Sequence, residues 1–237
     1  MNRSPMDVII LAGGLGTRLR AVVPDVPKPL APVNGRPFLD ALLEYLDRFP
    51  NIAQAVMAVS YRAEAIRETY TETQYHFPVA FSHEESPLGT GGAIKQALSL
   101  TSGDDVIVMN GDTYADVDID ALLQFHREKN GVATFAVARK KEGARYGAVA
   151  FGDDHAIRSF SEKSDISDFV SAGTYILKRS LFDSVDSGMI CSLETGLIPQ
   201  WLQQGVYAYV HQGGFLDIGT PESYEEAGPY LKARKKG

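Results

Sequence analysis

The chain carries one cysteine, Cys191, in 237 residues. An intramolecular disulfide framework and a cysteine-rich zinc site are both excluded, and a reducing cytosol fits. A basic stripe is also lacking: 30 acids against 23 bases leave a net charge of −7, and Lys232, Arg234, Lys235 and Lys236 cluster only at the extreme end. That balance excludes general nucleic-acid binding. No long apolar run occurs. The stretch 8–12, after a polar amino-terminus, is too short for a signal-peptide core or a membrane span, so the chain is expected to stay in the cytoplasm and off membranes. The five histidines include no close pair at metal-ligand spacing. Asp116, Asp118 and Asp120 suggest a calcium loop, but the sixth position is Ala121 and the twelfth Arg127, which excludes an EF-hand. These acids are expected to be solvated or to sit at a helix N-terminus, where the dipole favours them.

What is present is an ordinary globular composition, 44% hydrophobic and 22% charged, long enough for a sizeable core. Strand-length runs rich in Val and Ile recur at 8–12, 55–60, 106–110, 132–138 and 206–210, with helical patterns between them. Leu39, Leu42, Leu43, Leu46 and Phe49 share one helical face, and Ile94, Ala97 and Leu98 another. After residue 140 short alternating stretches, 147–151, 157–161 and 170–177, predict added antiparallel strands before a helix with Pro199 in its first turn. The expectation is a single α/β domain over 1–237, Rossmann-like, with a mixed, mostly parallel sheet flanked by helices.

Chemistry concentrates where the first strand runs into Leu11-Ala12-Gly13-Gly14-Leu15-Gly16-Thr17-Arg18-Leu19-Arg20. Glycines permit φ > 0 and close approach of backbone N–H groups to an anion, and a following helix start would add its positive end. Phosphate is the natural guest, although neither a P-loop lysine nor dinucleotide-fold glycine spacing is present. Ten residues on, Pro27-Lys28-Pro29-Leu30 places Lys28 on a stiff segment between two prolines. Asp112 follows the strand at 106–110, at the carboxyl edge where open α/β sheets place ligands.

With those residues in hand the chain resembles the sugar-1-phosphate nucleotidylyltransferases. Leu11 to Arg20 with Pro27 to Leu30 is similar to the family signature. Pro87-Leu88-Gly89-Thr90-Gly91-Gly92-Ala93 resembles its second glycine loop, Asn110-Gly111-Asp112 its metal strand, Phe160-Ser161-Glu162-Lys163 its sugar-phosphate site and Asp217-Ile218-Gly219-Thr220-Pro221 its second metal aspartate. The blocks run in family order over nearly the whole chain. The resemblance implies that the phosphate of a sugar 1-phosphate attacks the α-phosphorus of a nucleoside triphosphate and releases pyrophosphate. It implies a nucleotide-binding part at about 1–130 and a sugar-phosphate part at about 131–237; at 237 residues the hexapeptide-repeat extension of some relatives is not expected.

By motif position the resemblance gives the nucleotide to Leu11, Ala12, Gly13, Gly14, Gly16 and Thr17, with Gly89 and Thr90. Arg18, for the leaving pyrophosphate, and Lys28, for the reacting phosphates, are the implied catalytic cations. Asp112 and Asp217 are the implied Mg²⁺ ligands, a number that suits an ion completed by phosphate oxygens and water. Asn110, Gly147, Glu162, Lys163 and Ser171 are the implied sugar-phosphate contacts. No general base is needed, because a phosphate monoester with a second pKa near ~6 is already largely dianionic at neutral pH.

Glu84, three residues before Pro87, holds the family position that faces the base. A carboxylate accepts two hydrogen bonds, which suits the N1–H and N2–H₂ donors of guanine better than the edges of adenine, uracil or thymine. GTP is the expected nucleotide. The run Arg18-Leu19-Arg20-Ala21-Val22-Val23-Pro24-Asp25-Val26-Pro27-Lys28 resembles the short guanylyltransferases that act on D-glycero-α-D-manno-heptose 1-phosphate. Departures from wider relatives are Arg20-Ala21 after Arg-Leu, Ser171 where Asn is common, and Ser164 after the Glu-Lys pair. Alternatives are mannose 1-phosphate with GTP, a UTP-dependent uridylyltransferase, a metal-dependent glycosyltransferase, or a non-catalytic nucleotide-sugar sensor. Tyr114, standing where the glycosyltransferase Asp-x-Asp motif needs its second acid, speaks against the glycosyltransferase. A monomer or a homodimer is expected.

Overall fold

The structure, a computed structural model, describes residues 5–72, 75–139, 148–161 and 167–234. Its strands are β1 (Met6–Leu11), β2 (Pro32–Val33), β3 (Arg36–Pro37), β4 (Ile52–Val59), β5 (Val79–His83), β6 (Asp105–Asn110), β7 (Thr113–Ala115), β8 (Ala133–Arg139), β9 (Ala148–Phe151), β10 (Ile157–Ser161), β11 (Phe169–Lys178), β12 (Val206–Val210) and β13 (Phe215–Asp217). The helices are α1 (Phe38–Leu46), α2 (Ala63–Tyr70), α3 (Gly89–Ala97), α4 (Ile119–Lys129), α5 (Ile198–Trp201) and α6 (Pro221–Arg234).

Among the described residues nine strands form one mixed sheet. β5, β4, β1 and β6 are mutually parallel neighbours; β11 runs antiparallel to β6 on one side and to β8 on the other, and β12 lies parallel to β8. β8 and β12 therefore share the direction of the first four. β9 and β10 extend the sheet antiparallel from β11, as the alternating texture after residue 140 predicts. The order β5-β4-β1-β6 is that of a Rossmann-like half, and it gathers the carboxyl ends of four strands on one edge.

Alternation along β1 shows why the strands are apolar throughout. Val8 and Ile10 join one core and Ile9 the other, so both faces of the sheet are covered. On the first face lie α1, with Leu39, Leu42, Leu43 and Leu46 buried, and α4, with Ile119, Leu122 and Leu123. On the second lie α3, through Ala93, Ile94 and Ala97, and α5, through Ile198 and Trp201. Phe49 falls beyond α1 and packs on the core from outside the helix, and Leu98 opens a 3₁₀ turn after α3. Pro199 stands in the first turn of α5. Asp118 caps α4, accepting from the Ala121 N–H at 3.0 Å, whereas Asp116 is held by Arg234 and lies 3.4 Å from His211. The expectation of a solvated or helix-terminal Asp116 is thus corrected: it ties the end of α6 to the segment that follows β7.

The turn after α3 is fastened by one side chain. The Arg179 guanidinium donates to the carbonyls of Leu98 (2.7 Å), Thr101 (2.7 Å) and Gly103 (3.0 Å), and to the Thr101 hydroxyl (2.8 Å). Hydrogen bonds from a charged donor contribute roughly 1.5–3 kcal/mol each net of hydration, are not additive, and are reduced by the partial exposure of Arg179. Arg179→Ala is expected to cost about 2 kcal/mol and lower Tm by roughly 4–8 °C. Calorimetric unfolding checks it; an unchanged Tm would remove this loop from the list of structural fasteners.

Candidate active site

β1 ends between β4 and β6, and the loop that follows is anchored at once. The Ala12 N–H donates to Ala58 O at 2.8 Å and the Gly111 N–H to Leu11 O at 2.9 Å. Gly13 has no room for a side chain: a Cβ there would stand 2.9 Å from Glu84 Oε1 and 3.1 Å from the Ser60 nitrogen. Gly14, by contrast, faces open space. Gly16 takes φ +57°, which favours glycine, and turns the backbone against the Lys28 stem. Leu19 to Ala21 then form a single 3₁₀ turn. The expected helix start, with its positive end, is therefore not built here, and charge at this loop comes from side chains. Thr17 and Arg18 are exposed at its far end.

Lys28 is positioned as its flanking prolines predict. Pro27 is extended, Lys28 to Leu30 form a 3₁₀ turn, and the ammonium is bonded to the Asp112 carboxylate. Lys28 is 11% exposed and Asp112 38%. Burial works against the Asp112 charge, but the Lys28 charge and hydrogen bond, helped by the Thr113 hydroxyl, outweigh it and hold the carboxyl below its usual range. Asp217 arrives from 105 positions away (217 less 112) because β13 pairs with β7: Asp217 is opposite Thr113, and the Ile218 N–H donates to Asp112 O at 2.9 Å. Asp217 Oδ1 accepts from the Gly219 N–H at 2.5 Å, and a Cβ on Gly219 would lie 3.5 Å from Lys28 Nζ. The two acids and the lysine converge.

A cavity of about 280 Å³ opens on this edge. Of the residues singled out in the sequence, Leu11, Gly13, Gly14, Glu84, Gly89, Thr90, Asn110 and Asp112 line it. Leu15, Pro87 and Ala93 from the two glycine loops line it too, as do Ala58 and Glu194, which no sequence motif contains. Ala12, Gly16, Thr17, Arg18 and Lys28 lie outside its wall.

Glu84 is 5% exposed. Its N–H donates to Val59 O, and its Oε2 accepts from the Leu88 N–H at 2.8 Å. Burial pushes its pKa up, against the opposing pull of the Leu88 N–H.

The second glycine loop differs from a free phosphate cradle. The Gly91 and Gly92 N–H groups both donate to Cys191 O, at 2.9 and 3.3 Å, and the Cys191 N–H donates to Leu88 O at 2.9 Å. A Cβ would meet Cys191 O at 2.6 Å on Gly89, Cys191 Sγ at 2.8 Å on Gly91, and Met189 O at 2.4 Å on Gly92. These glycines let the segment 189–193 lie against the start of α3.

On the sugar side, Gly173 at φ +72° kinks β11, where its register with β8 shifts between Ser171 and Tyr175. The Ser171 hydroxyl lies 3.3 Å from the buried Tyr175 phenol, which also contacts the Asn110 side chain. Gly147, Glu162 and Lys163 lie outside the described residues. Among the described residues no group of three or more His, Cys, Asp or Glu could hold a metal.

A Rossmann-like sheet edge carrying a glycine turn, a proline-braced lysine and two convergent carboxylates defines a nucleotide-handling α/β enzyme of the nucleotide-diphospho-sugar transferase fold. The chain belongs to the nucleotidyl transferase family, whose profile matches residues 7–234. It is 37% identical over 225 residues to a D-glycero-alpha-D-manno-heptose 1-phosphate guanylyltransferase of Aneurinibacillus thermoaerophilus, covering 94% of this chain and 96% of that one. A mannose-1-phosphate guanylyltransferase of Mycobacterium tuberculosis is 31% identical over 92% of this chain and 62% of its own. The crystal structure of HddC from Yersinia pseudotuberculosis complexed with GMP-PN superposes with a TM-score of 0.85 at 33% identity, over 95% of this chain and 99% of that one. Among the described residues no helix is long and apolar enough to cross a membrane.

Proposed function

We propose that the protein is a sugar-1-phosphate guanylyltransferase of the cytoplasm, acting as a monomer or homodimer. It transfers GMP from GTP to D-glycero-α-D-manno-heptose 1-phosphate and releases pyrophosphate. The observation that carries the reading is Glu84, a buried carboxylate aimed at the cavity wall beside Gly13. With Oε2 fixed by the Leu88 N–H, the carboxylate keeps acceptor capacity for the N1–H and N2–H₂ pair of guanine. The heptose acceptor is supported by the likeness to the Aneurinibacillus enzyme; mannose 1-phosphate is the second reading, supported by the Mycobacterium relative.

The chemistry asks the chain to bring anions together and to offset their charge. The acceptor phosphate brings its own nucleophilic oxygen, so no side chain has to remove a proton. Gly14 leaves the backbone open to a phosphate group, and Lys28, stiffened by its prolines, presents its ammonium beside Asp112. Arg18, exposed at the end of the loop, is assigned to the leaving pyrophosphate. Asp112 and Asp217 would hold Mg²⁺, which when bound supplies Lewis-acid charge to phosphate oxygens. Lys163 is assigned to the sugar phosphate and Glu162 to hydrogen bonds from the sugar hydroxyls, with Gly147 giving room to the ring.

The test is pyrophosphate release across GTP, ITP, UTP, dTTP, CTP and ATP. GTP is expected to lead, and ITP, which lacks the N2 amine, to fall behind. Glu84→Gln should lower kcat/KM for GTP roughly 10- to 100-fold and narrow the gap to ITP. A raised Glu84 pKa means that guanine selection is present above that pKa and lost as pH falls through it. The acid limb should therefore lie above the ordinary value of 4.5. A strong preference for UTP would overturn the guanine assignment.

A further inference from the structure

We propose that Glu194 is a specificity-determining residue whose free carboxylate oxygen, Oε1, accepts a hydrogen bond from a ring hydroxyl of the sugar 1-phosphate. The inference rests on the sugar-1-phosphate reading above and adds a residue that none of the sequence motifs contains.

Glu194 lines the cavity from a π-helical turn, Leu193–Leu197, and is half-buried. Its Oε2 accepts from the Thr90 hydroxyl at 2.8 Å and the Ser192 hydroxyl at 3.2 Å, while the Thr90 oxygen accepts from the Leu193 N–H at 2.8 Å. One oxygen of the carboxylate is thereby fixed. Oε1 has no hydrogen bond among the described residues. A carboxylate oxygen offers two lone pairs and no donor, so the group held at the cavity wall is a rigid acceptor.

Charge decides which part of the substrates it can face. A carboxylate repels phosphate and gains from a neutral donor, so in a cleft for polyanions it fits the part that carries hydroxyls. Position then separates sugar from base. Glu84 follows β5 and lies against Gly13, whereas the turn that carries Glu194, Leu193–Leu197, packs on β10, the strand that holds Phe160 and Ser161 of the sugar-phosphate block. Glu194 therefore belongs to the acceptor end.

The experiment measures KM for heptose 1-phosphate, mannose 1-phosphate and the monodeoxy mannose 1-phosphates, and KM for GTP and 3′-deoxy-GTP, in the wild-type chain and Glu194→Gln. The glutamine carbonyl can keep the Thr90 bond, so the change falls on the free atom, and Tm serves as the control for folding. The expected result is a rise of about tenfold or more in KM for the sugar 1-phosphate, with KM for GTP and Tm unchanged. One monodeoxy sugar should erase the difference between the two proteins, as a mutant cycle requires. An unchanged sugar KM would overturn the inference and leave Glu194 as a brace for Thr90. A rise confined to GTP that disappears with 3′-deoxy-GTP would overturn it in favour of the ribose. A wild-type chain that forms no nucleotide-sugar from any pair overturns the enzyme reading itself, and this inference with it.

Discussion

Asp112→Asn is expected to lower kcat on the order of 10³-fold while the chain stays folded. The carboxylate bonds the Lys28 ammonium, and under the proposed function it would hold Mg²⁺ together with Asp217. Asparagine keeps an acceptor for Lys28 but removes the charge that a divalent ion needs. Lys28, at 11% exposure, then lacks a counter-charge. Because Asp112 is 38% exposed, solvent screens part of that loss, and a cost of about 1 kcal/mol lies between the values for surface and buried pairs. The pH dependence follows from the lowered Asp112 pKa. The pair's stabilisation is fully present above the ordinary carboxyl value of 3.8 and is lost only as pH falls through the lower folded value. The Asp112–Lys28 pair therefore does not set the acid limb of activity, which lies at higher pH. Initial rates of pyrophosphate release and thermal unfolding check both parts, and full turnover by Asp112→Asn would reject the metal assignment.

Gly92→Ala should damage the fold and the cavity together, with roughly 2 kcal/mol of stability lost and a fall of about 100-fold in kcat/KM. A Cβ at this position would stand 2.4 Å from the Met189 carbonyl oxygen and 2.7 Å from Leu88 Cβ. The first is backbone, so the segment 189–193 has to move, and it carries the Cys191 carbonyl that the Gly91 and Gly92 N–H groups require. Two helix-terminal donors would lose their acceptor just as Glu194 is displaced. Gly14→Ala is the contrast: with nothing within 4 Å of the added methyl, Tm should hold while nucleotide affinity falls. A Gly92→Ala protein with wild-type Tm and only weaker nucleotide binding would contradict the packing account.

Much of this was legible in the sequence, because the signals were local. The strand run at 206–210 and the stretch at 157–161 match β12 and β10, and the two prolines around Lys28 announce a stiff segment. Asp112 was readable from the strand before it. What was hidden depends on contacts between distant residues. β7 and β13 are three residues each, too short for periodicity to reveal, yet their pairing is what brings Asp217 to Asp112. β5 is half-polar at the sheet edge and carried little pattern. The glycines at 89, 91 and 92 advertise close approach without saying to what; an anion and the backbone of residue 191 leave the same mark. Glu194 meets Thr90 across 104 positions, and no spacing rule reaches that far.

The docking of the segment 189–193 on the start of α3 also sets an order of events during synthesis. The loops of the first 130 residues carry the glycines, Lys28, Glu84 and Asp112, but the wall completed by Glu194 cannot exist until the chain has emerged past that residue and folded back. Such a contact closes late, because a long loop must be ordered before it forms. A nascent or truncated chain would hold the nucleotide residues without an enclosed place for the nucleotide, and a cut near residue 130 would separate two pieces of one cavity.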